Sequence, residues 1–352
     1  MELSDLIIKL VLVVVIFAIS LVVAMYSTYA ERKIAAFFQD RVGPNRAGPF
    51  GMLQPMADGV KMFMKEEIIP TKASSFLFVV GPSLAIMTAC IGSAVIPWGP
   101  RMQVGDRIID LQVTDINVGI LYIFGVVSLG VYGVMIGGWA SNNKYSLLGA
   151  IRAASQNISY EISMGLSIIA LIMITQTLSL REIAAEQHGF WANGWFTWNF
   201  FKQPLGFLIF MVCAFAETNR TPFDLPECET ELVGGYHTEY SSMKLGFYLF
   251  AEYINMFVSS AVMATLYFGG YNYPGMDWVA AHVGPTIAPI IGVLVMFAKI
   301  FAFIFFFMWI RWTIPRFRYD QLMHLGWKTL IPLAIANIVI TGVVVKLIQH
   351  FA

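Results

Sequence analysis

Long apolar stretches alternate with polar blocks along the whole chain. Eight of the stretches have the length that a bilayer demands: 6–26, 76–97, 117–138, 158–178, 196–216, 245–268, 287–310 and 329–348. A hydrocarbon core of about 30 Å takes about 20 residues of helix. Lipid offers no partner for an unpaired backbone group, so these stretches are expected to be α-helices. The fifth is the weakest: it holds Lys202 and Pro204, and its continuous apolar run is only Leu205–Ala216. A short or broken helix, or a count of seven spans, fits that stretch equally well. The first stretch lacks a basic leader and is too long for the core of a signal peptide, so it reads as a span. Between the first two spans, Met56, Val60, Phe63 and Met64 recur at helical spacing after Pro55, with Asp58, Lys61 and Lys65 elsewhere on the turn. This predicts a short amphipathic helix over 53–66, lying in the interface or against a partner. The fold class expected is an all-α polytopic membrane protein of about eight helices, forming one membrane domain over 1–352, without internal repeats.

Composition agrees. Of the 352 residues, 58% are hydrophobic and 12% charged, whereas soluble domains carry about 25% charged residues. The 22 basic and 22 acidic residues cancel, so no net charge draws the chain to nucleic acid. Cys90, Cys213 and Cys228 form no CxxC pair, the five histidines show no metal-ligand spacing, and no GxGxxG or P-loop occurs. Any redox cofactor is therefore expected on a partner. The segments 27–75, 139–157, 217–244 and 311–328 hold fifteen Lys and Arg, against six on the other side. The basic side is the inner one by this bias, and both termini face outward. The outer segments carry Trp98, Trp191, Trp195, Trp198 and Trp278, as an interfacial aromatic belt would.

Two features exceed what a plain helix bundle needs. Segment 217–244 holds Glu217, Asp224, Glu227, Glu229, Glu231 and Glu239 against only Arg220 and Lys244. A solvated acidic face is the ordinary explanation for such a run. These acids, however, are interleaved with Phe223, Leu225, Leu232, Val233 and Tyr236. Packed acids lose hydration and repel one another, which predicts raised pKa values and group exchange of protons. The second feature is charge within spans: Glu161, Glu252 and Lys299. Glu161 and Glu252 lie near enough to span ends to snorkel. Lys299 does not, which points to a buried pair or a functional role.

The polar blocks resemble those of the membrane protein of respiratory complex I that borders the quinone chamber, the family of H-type subunits of NADH-quinone oxidoreductase. The matching blocks are AERK at 30–33, QDRVGPNRAGPFGMLQPMADGVKMFMKE at 39–66 and GWASNNKYSLLGAIRAASQNISYE at 138–161. They continue with ETNRTPFDLPECETELVGGYHTEYSSMK at 217–244, FAEY at 250–253 and IRWTIPRFRYDQLMHLGWK at 310–328. The resemblance runs in order from about residue 25 to 335. It implies eight helices in the heel of the membrane arm of a proton-pumping NADH:quinone oxidoreductase, with ubiquinone or menaquinone as substrate. FMN and iron–sulfur clusters would sit on partner subunits, and this chain would bind no redox centre. Partners would be the quinone-site subunits of the hydrophilic arm, small membrane-arm subunits and the proton-pump subunits. The membrane would be the bacterial plasma membrane or the mitochondrial inner membrane. Carried over, the quinone cavity would include Glu31, Arg32, Gln39, Arg41, Asp58, Lys61 and Arg311. The proton-coupling side would include Glu161, Glu217, Arg220, Asp224, Glu227, Glu229, Glu231, Glu239 and Glu252, and the residue reading adds Lys299. Cys228 stands where the family pattern leads one to expect Ala or Gly, and a neutral structural role fits it best.

Two other functions fit the same pattern in part. One is the equivalent subunit of a membrane-bound hydrogenase-type complex, which the full first-loop block QDRVGPNRAGPFGMLQP disfavours. The other is a stand-alone ion-coupled transporter using Lys299, Glu161 and Glu252 as a coupling site, which the lack of visible repeats and the large acidic inner loop disfavour.

Overall fold

The fold is given by a computed structural model that describes residues 3–104, 107–189, 197–227, 229–284 and 287–351. Trp191, Trp195, Cys228 and the side chain of Glu229 lie outside the described residues. The helices are α1 (Leu3–Phe38), α2 (Gln54–Met64), α3 (Ser75–Ile91), α4 (Gly119–Ala140), α5 (Lys144–Thr175), α6 (Leu180–Glu186) and α7 (Asn199–Lys202). They continue with α8 (Pro204–Glu217), α9 (Glu229–Leu232), α10 (Ser242–Tyr267), α11 (Met276–Val283), α12 (Ala288–Thr313), α13 (Tyr319–His324) and α14 (Ile331–Phe351). A two-stranded antiparallel hairpin, β1 (Met102–Val104) with β2 (Arg107–Ile109), lies in an outer segment, and its short strands gave no sequence signal.

Seven helices among the described residues are long and apolar enough to cross a bilayer. The remaining expected span is broken. Pro204 opens α8 after Gln203 leaves helical geometry at φ −137°, ψ 59°. With 14 residues, α8 rises only about 21 Å. The break is held by a buried polar cluster: Gln203 Nε2 donates to Thr341 Oγ1 at 2.7 Å and Gln203 Oε1 accepts from Asn337 Nδ2 at 2.9 Å. Such bonds replace water where none is available.

Hydropathy marked only the greasy part of several helices. α1 has 36 residues, about 54 Å of rise, so its last turns carry the AERK block beyond the membrane on the basic side. α5 likewise starts at Lys144, where the sequence suggested a loop, with Asn143 capping it by accepting from the Tyr145 N–H at 2.9 Å. The amphipathic helix expected over 53–66 is α2, which packs beside α1 and α10. Next to α13, residues Leu325–Leu330 form a π-helical turn that runs into α14.

The tightest packing is between α3, α4 and α10. Gly81 on α3 and Gly133 and Gly137 on α4 let two backbones meet. Tyr248 fills the seam from α10, donating its hydroxyl to the Gly133 carbonyl at 3.0 Å, and Tyr240 donates to the Gly137 carbonyl at 3.2 Å. A methyl group at Gly137 would sit 1.9 Å from the Tyr248 hydroxyl oxygen, whereas one at Gly125 would meet open space. Gly137→Ala should therefore cost about 1–3 kcal/mol of stability through overpacking. Gly125→Ala on the same helix should not destabilise. Thermal unfolding of the detergent-purified variants checks the pair; equal midpoints would refute the seam.

Candidate functional site

The last turns of α1, the loop after α8, the first half of α10 and the end of α12 meet at one buried carboxylate. Glu31 is 6% exposed. Its Oε2 accepts from Arg220 Nη1 at 3.1 Å and from the Tyr253 hydroxyl at 2.8 Å, and its Oε1 pairs with Arg311 Nη1 at 2.7 Å. The Arg220 guanidinium also lies over the Tyr253 ring, 4.1 Å from its centre. Arg220 is 3% exposed, and its Nε and Nη2 have no hydrogen-bond partner among the described residues. The pair needs Glu31, since an uncompensated guanidinium at such a depth is strongly unfavourable.

Tyr253 forms part of the wall of a cavity of about 220 Å³ between α1, α2 and α10. Its apolar walls include Met25, Met62, Leu249 and Phe250, and its polar ones Arg32, Asp58 and Lys61. Arg32 and Asp58 form an ion pair at 2.8 Å across the mouth, and Gln54 holds the other Asp58 oxygen at 2.9 Å. One hydroxyl thus links the cavity wall to the buried Glu31. The amphipathic character of α2 makes this possible: its polar residues line the mouth while Met56, Val60, Phe63 and Met64 stay exposed.

The acidic segment is not a solvated loop. Thr218, Arg220, Thr221, Phe223, Asp224 and Leu225 are all buried. Gln156 of α5 holds the turn, donating to the carbonyls of Ala216 at 2.7 Å and Phe223 at 2.8 Å. Asp224 Oδ2 pairs with Arg316 at 3.0 Å, while Oδ1 is buried without a partner among the described residues. Burial, and then the charge of Glu227, push Asp224 up to about 7 against the pull of Arg316, Arg311 and Arg220. Glu227 and Glu252 are hydrogen-bonded to each other. The Tyr236 hydroxyl lies 3.3 Å from one and 3.4 Å from the other. Burial alone would raise Glu227, but the bond from Glu252 and the charges of His237, Arg220 and Arg311 carry its carboxyl below the ordinary range. Three guanidiniums, on Arg220, Arg311 and Arg316, therefore share a neighbourhood with four carboxyls, on Glu31, Asp224, Glu227 and Glu252. Beyond it, Glu217 ends α8 within reach of the Glu161 charge, and Ser128 donates to Glu161.

The other residues expected here lie apart. Gln39 and Arg41 are exposed and bond to each other at 2.7 Å. Glu231 pairs with Arg152 at 2.6 Å on the surface, and Glu239 accepts from Asn143 at the start of α5. Lys299 meets no acid among the described residues. Its ammonium donates to the carbonyls of Phe268 at 2.7 Å, Gly270 at 2.8 Å and Asn272 at 2.6 Å. Phe268 follows Glu252 by sixteen residues along α10 and its cap, about 24 Å of helix. Lys299 thus anchors the outer end of α10, and its three protons are all used there. Tyr253, Tyr236, His237 and Arg316 belong to the cluster but were missed. The FAEY block held Tyr253 in plain view; a tyrosine beside a membrane acid was the available signal.

Residues 10–342 match the family model described as NADH dehydrogenase. The chain belongs to the NADH dehydrogenase family. Among similar relatives, it is 65% identical over 341 residues to the H-type subunit of the NADH-quinone oxidoreductase of Flavobacterium psychrophilum, covering 97% of this chain and 98% of that one. It is 67% identical over 339 residues to an H-type subunit of the NADH-quinone oxidoreductase of Cytophaga hutchinsonii, covering 96% and 97%. A more distant relative is an H-type subunit of the NADH-quinone oxidoreductase of Geobacter sulfurreducens, 49% identical over 346 residues, covering 95% and 94%. This NADH dehydrogenase family member therefore matches its relatives over nearly their full length, and the buried cluster lies inside the matched region.

The Asp224 environment makes a pH prediction. Its folded pKa lies above the ordinary 3.8, at about 7. Such a group contributes stability that is fully present below the unfolded value and is lost as pH rises through the folded one. Compared with Asp224→Asn, the native protein should lose stability as pH rises toward about 7. Parallel melting curves across that range would contradict the assignment.

Proposed function

We propose that this chain is the quinone-chamber subunit of a proton-translocating NADH:quinone oxidoreductase. In this reading the cavity between α1, α2 and α10 is the lipid-side entrance and floor of the chamber. The carboxyls from Glu31 through Asp224, Glu227, Glu252 and Glu217 to Glu161 carry the effect of quinone reduction toward the proton-pump subunits. The observation that carries it is Tyr253, which lines the cavity and whose hydroxyl donates to Glu31 in the Glu31–Arg220–Arg311 cluster. The names of the relatives supply the electron donor and acceptor.

The chemistry is consistent with that role. A quinone needs an apolar passage reached from lipid and a polar end where charge arrives. Met25, Met62, Leu249 and Phe250 offer the first, and Arg32, Asp58 and Lys61 the second. At about 220 Å³ the cavity is smaller than a typical ligand site of roughly 300–1,000 Å³. A subunit of the hydrophilic arm would complete it, along with the group that donates to the quinone oxygens. FMN and iron–sulfur clusters would reside on such partners. A unit charge 4 Å from a carboxylate at an effective dielectric of about 20 is worth about 4 kcal/mol. That equals about three pKa units, enough to change a carboxyl's proton occupancy. A transporter built on Lys299, Glu161 and Glu252 lacks support, because Lys299 spends its donors on backbone carbonyls far from Glu252. The membrane would be the one that houses the whole complex.

Within the assembled enzyme in membranes, Glu227→Gln should lower NADH:quinone reductase activity about tenfold or more, the scale of losing a positioned proton carrier. NADH oxidation by an artificial electron acceptor should be unchanged. Lys61→Ala should weaken a quinone-site inhibitor about tenfold, the scale of one charge-assisted contact. Unaltered quinone turnover in the first variant, or an unaltered inhibitor titration in the second, would remove the respective residue from its role.

A further inference from the structure

Of the three charges that the sequence places within spans, Lys299 has no part in the carboxyl path. It follows Ala288, the start of α12, by eleven residues, about 16 Å of helix. The turn that it meets at this depth is irregular. α10 stops at Tyr267, and Gly269 and Gly270, at φ 72° and 55°, take the left-handed geometry that a residue with a Cβ resists. The carbonyls of Phe268, Gly270 and Asn272 thereby converge, at 2.7, 2.8 and 2.6 Å from the Lys299 ammonium. Gln187 holds the turn in place. It accepts from the Gly269 N–H at 2.9 Å and donates to the carbonyls of Thr265 at 2.9 Å and Leu266 at 3.2 Å. The Trp198 ring covers the ammonium, its centre 5.0 Å away.

Converging carbonyl oxygens make a cation cradle, the device by which a pore replaces an ion's hydration shell. Here the cation is tethered to the chain. Three acceptors need three N–H bonds and a neutral amine has two, so the geometry selects the ammonium. Among the described residues its charge is met by carbonyl dipoles and a ring, not by an acid. Polar side chains lead to this cradle from the acids. Ser167 follows Glu161 by six residues along α5, about 9 Å toward the outer side. The Tyr267 hydroxyl lies beside Ser167, and Tyr267 adjoins Phe268, whose carbonyl belongs to the cradle. An empty cradle would offer hydronium three oxygens at the end of this thread.

We propose that Lys299 is a tethered cation that seals the outer end of the bundle against protons, occupying the seat that hydronium would take. A fixed positive charge at this depth also repels any cation that approaches it. The seal leaves the inner side and the partner subunits as the exits for protons held by the acids. Its purpose rests on the proton role proposed above, whereas the seal itself is measurable with the enzyme at rest.

The test uses the assembled complex reconstituted in sealed vesicles, with turnover stopped by a quinone-site inhibitor and a pH gradient imposed. Lys299→Gln keeps two N–H donors and loses the charge, whereas Lys299→Arg keeps both donors and charge. The gradient should decay about tenfold faster in Lys299→Gln, a barrier lowered by about 1.4 kcal/mol. It should decay at the native rate in Lys299→Arg. Subunit content of the purified complex reports assembly. An entrapped dye should stay inside throughout, which separates a proton leak from loosened packing. Native decay in Lys299→Gln overturns the seal. Escape of the dye along with the gradient, or equal leakage in Lys299→Arg, marks a packing role and also overturns it. Full quinone turnover in Glu227→Gln instead brings down the proton path and leaves the leak result standing. A density map of the native complex decides independently of any variant: the Lys299 ammonium is expected at the three carbonyls, and a water or ion seated there in its place refutes the proposal.

Discussion

Everything around the candidate site depends on the impossibility of leaving a charge unmatched where water is scarce. Glu31 carries the matching. It accepts from Arg220, Arg311 and Tyr253, and these come from three different parts of the chain. α1, the loop after α8, α10 and α12 are therefore tied together by one carboxylate. Removing one partner of such a group costs far more than removing the whole group. The same logic explains why irregular backbone is tolerated at 218–227. Lipid forbids exposed loops, but a loop buried in protein can satisfy its polar groups internally. Gln156 does this for the carbonyls of Ala216 and Phe223.

The short helix α8 is the structural consequence. Helix α8 starts late, at Pro204, and its 14 residues end at Glu217, where the turn that opens the acidic segment is held inside the bundle by Gln156. The cluster at Gln203, Asn337 and Thr341 fixes the other end of this element. Short helix, buried loop and acid cluster are thus one arrangement. Three guanidiniums and His237 lie among four carboxyls there: Asp224 has one oxygen paired and the other alone among the described residues, and Glu227 and Glu252 bond to each other.

The cavity and the acid cluster meet at α10. One face of this helix carries Tyr253 into the cavity and onto Glu31. Another carries Glu252 to Glu227. At its far end Lys299 holds the carbonyl of its cap, Phe268, and those of Gly270 and Asn272 in the turn that follows. Rigid placement matters for all of these groups, because the interaction of charges falls with distance and a proton moves only between atoms in contact. The glycine seam of α3 and α4, closed by Tyr248, gives α10 a flat surface to rest on.

The membrane class, the helix count to within one, the amphipathic α2 and the half-buried nature of the acids were all legible in the sequence. Each depends on local patterning: span length, helical periodicity, and apolar residues interleaved with Glu and Asp. The polar blocks also carried the family resemblance. Tertiary structure alone decided which charges meet. Lys299 and Glu252 look alike in hydropathy, as isolated charges in greasy helices, yet one caps a helix and the other joins a carboxyl pair. Glu231 and Glu227 are four residues apart, yet one pairs on the surface and the other sits in the cluster. Hydropathy sums over a window and is blind to direction, whereas a buried charge is defined by the few atoms that face it, and those come from distant parts of the chain.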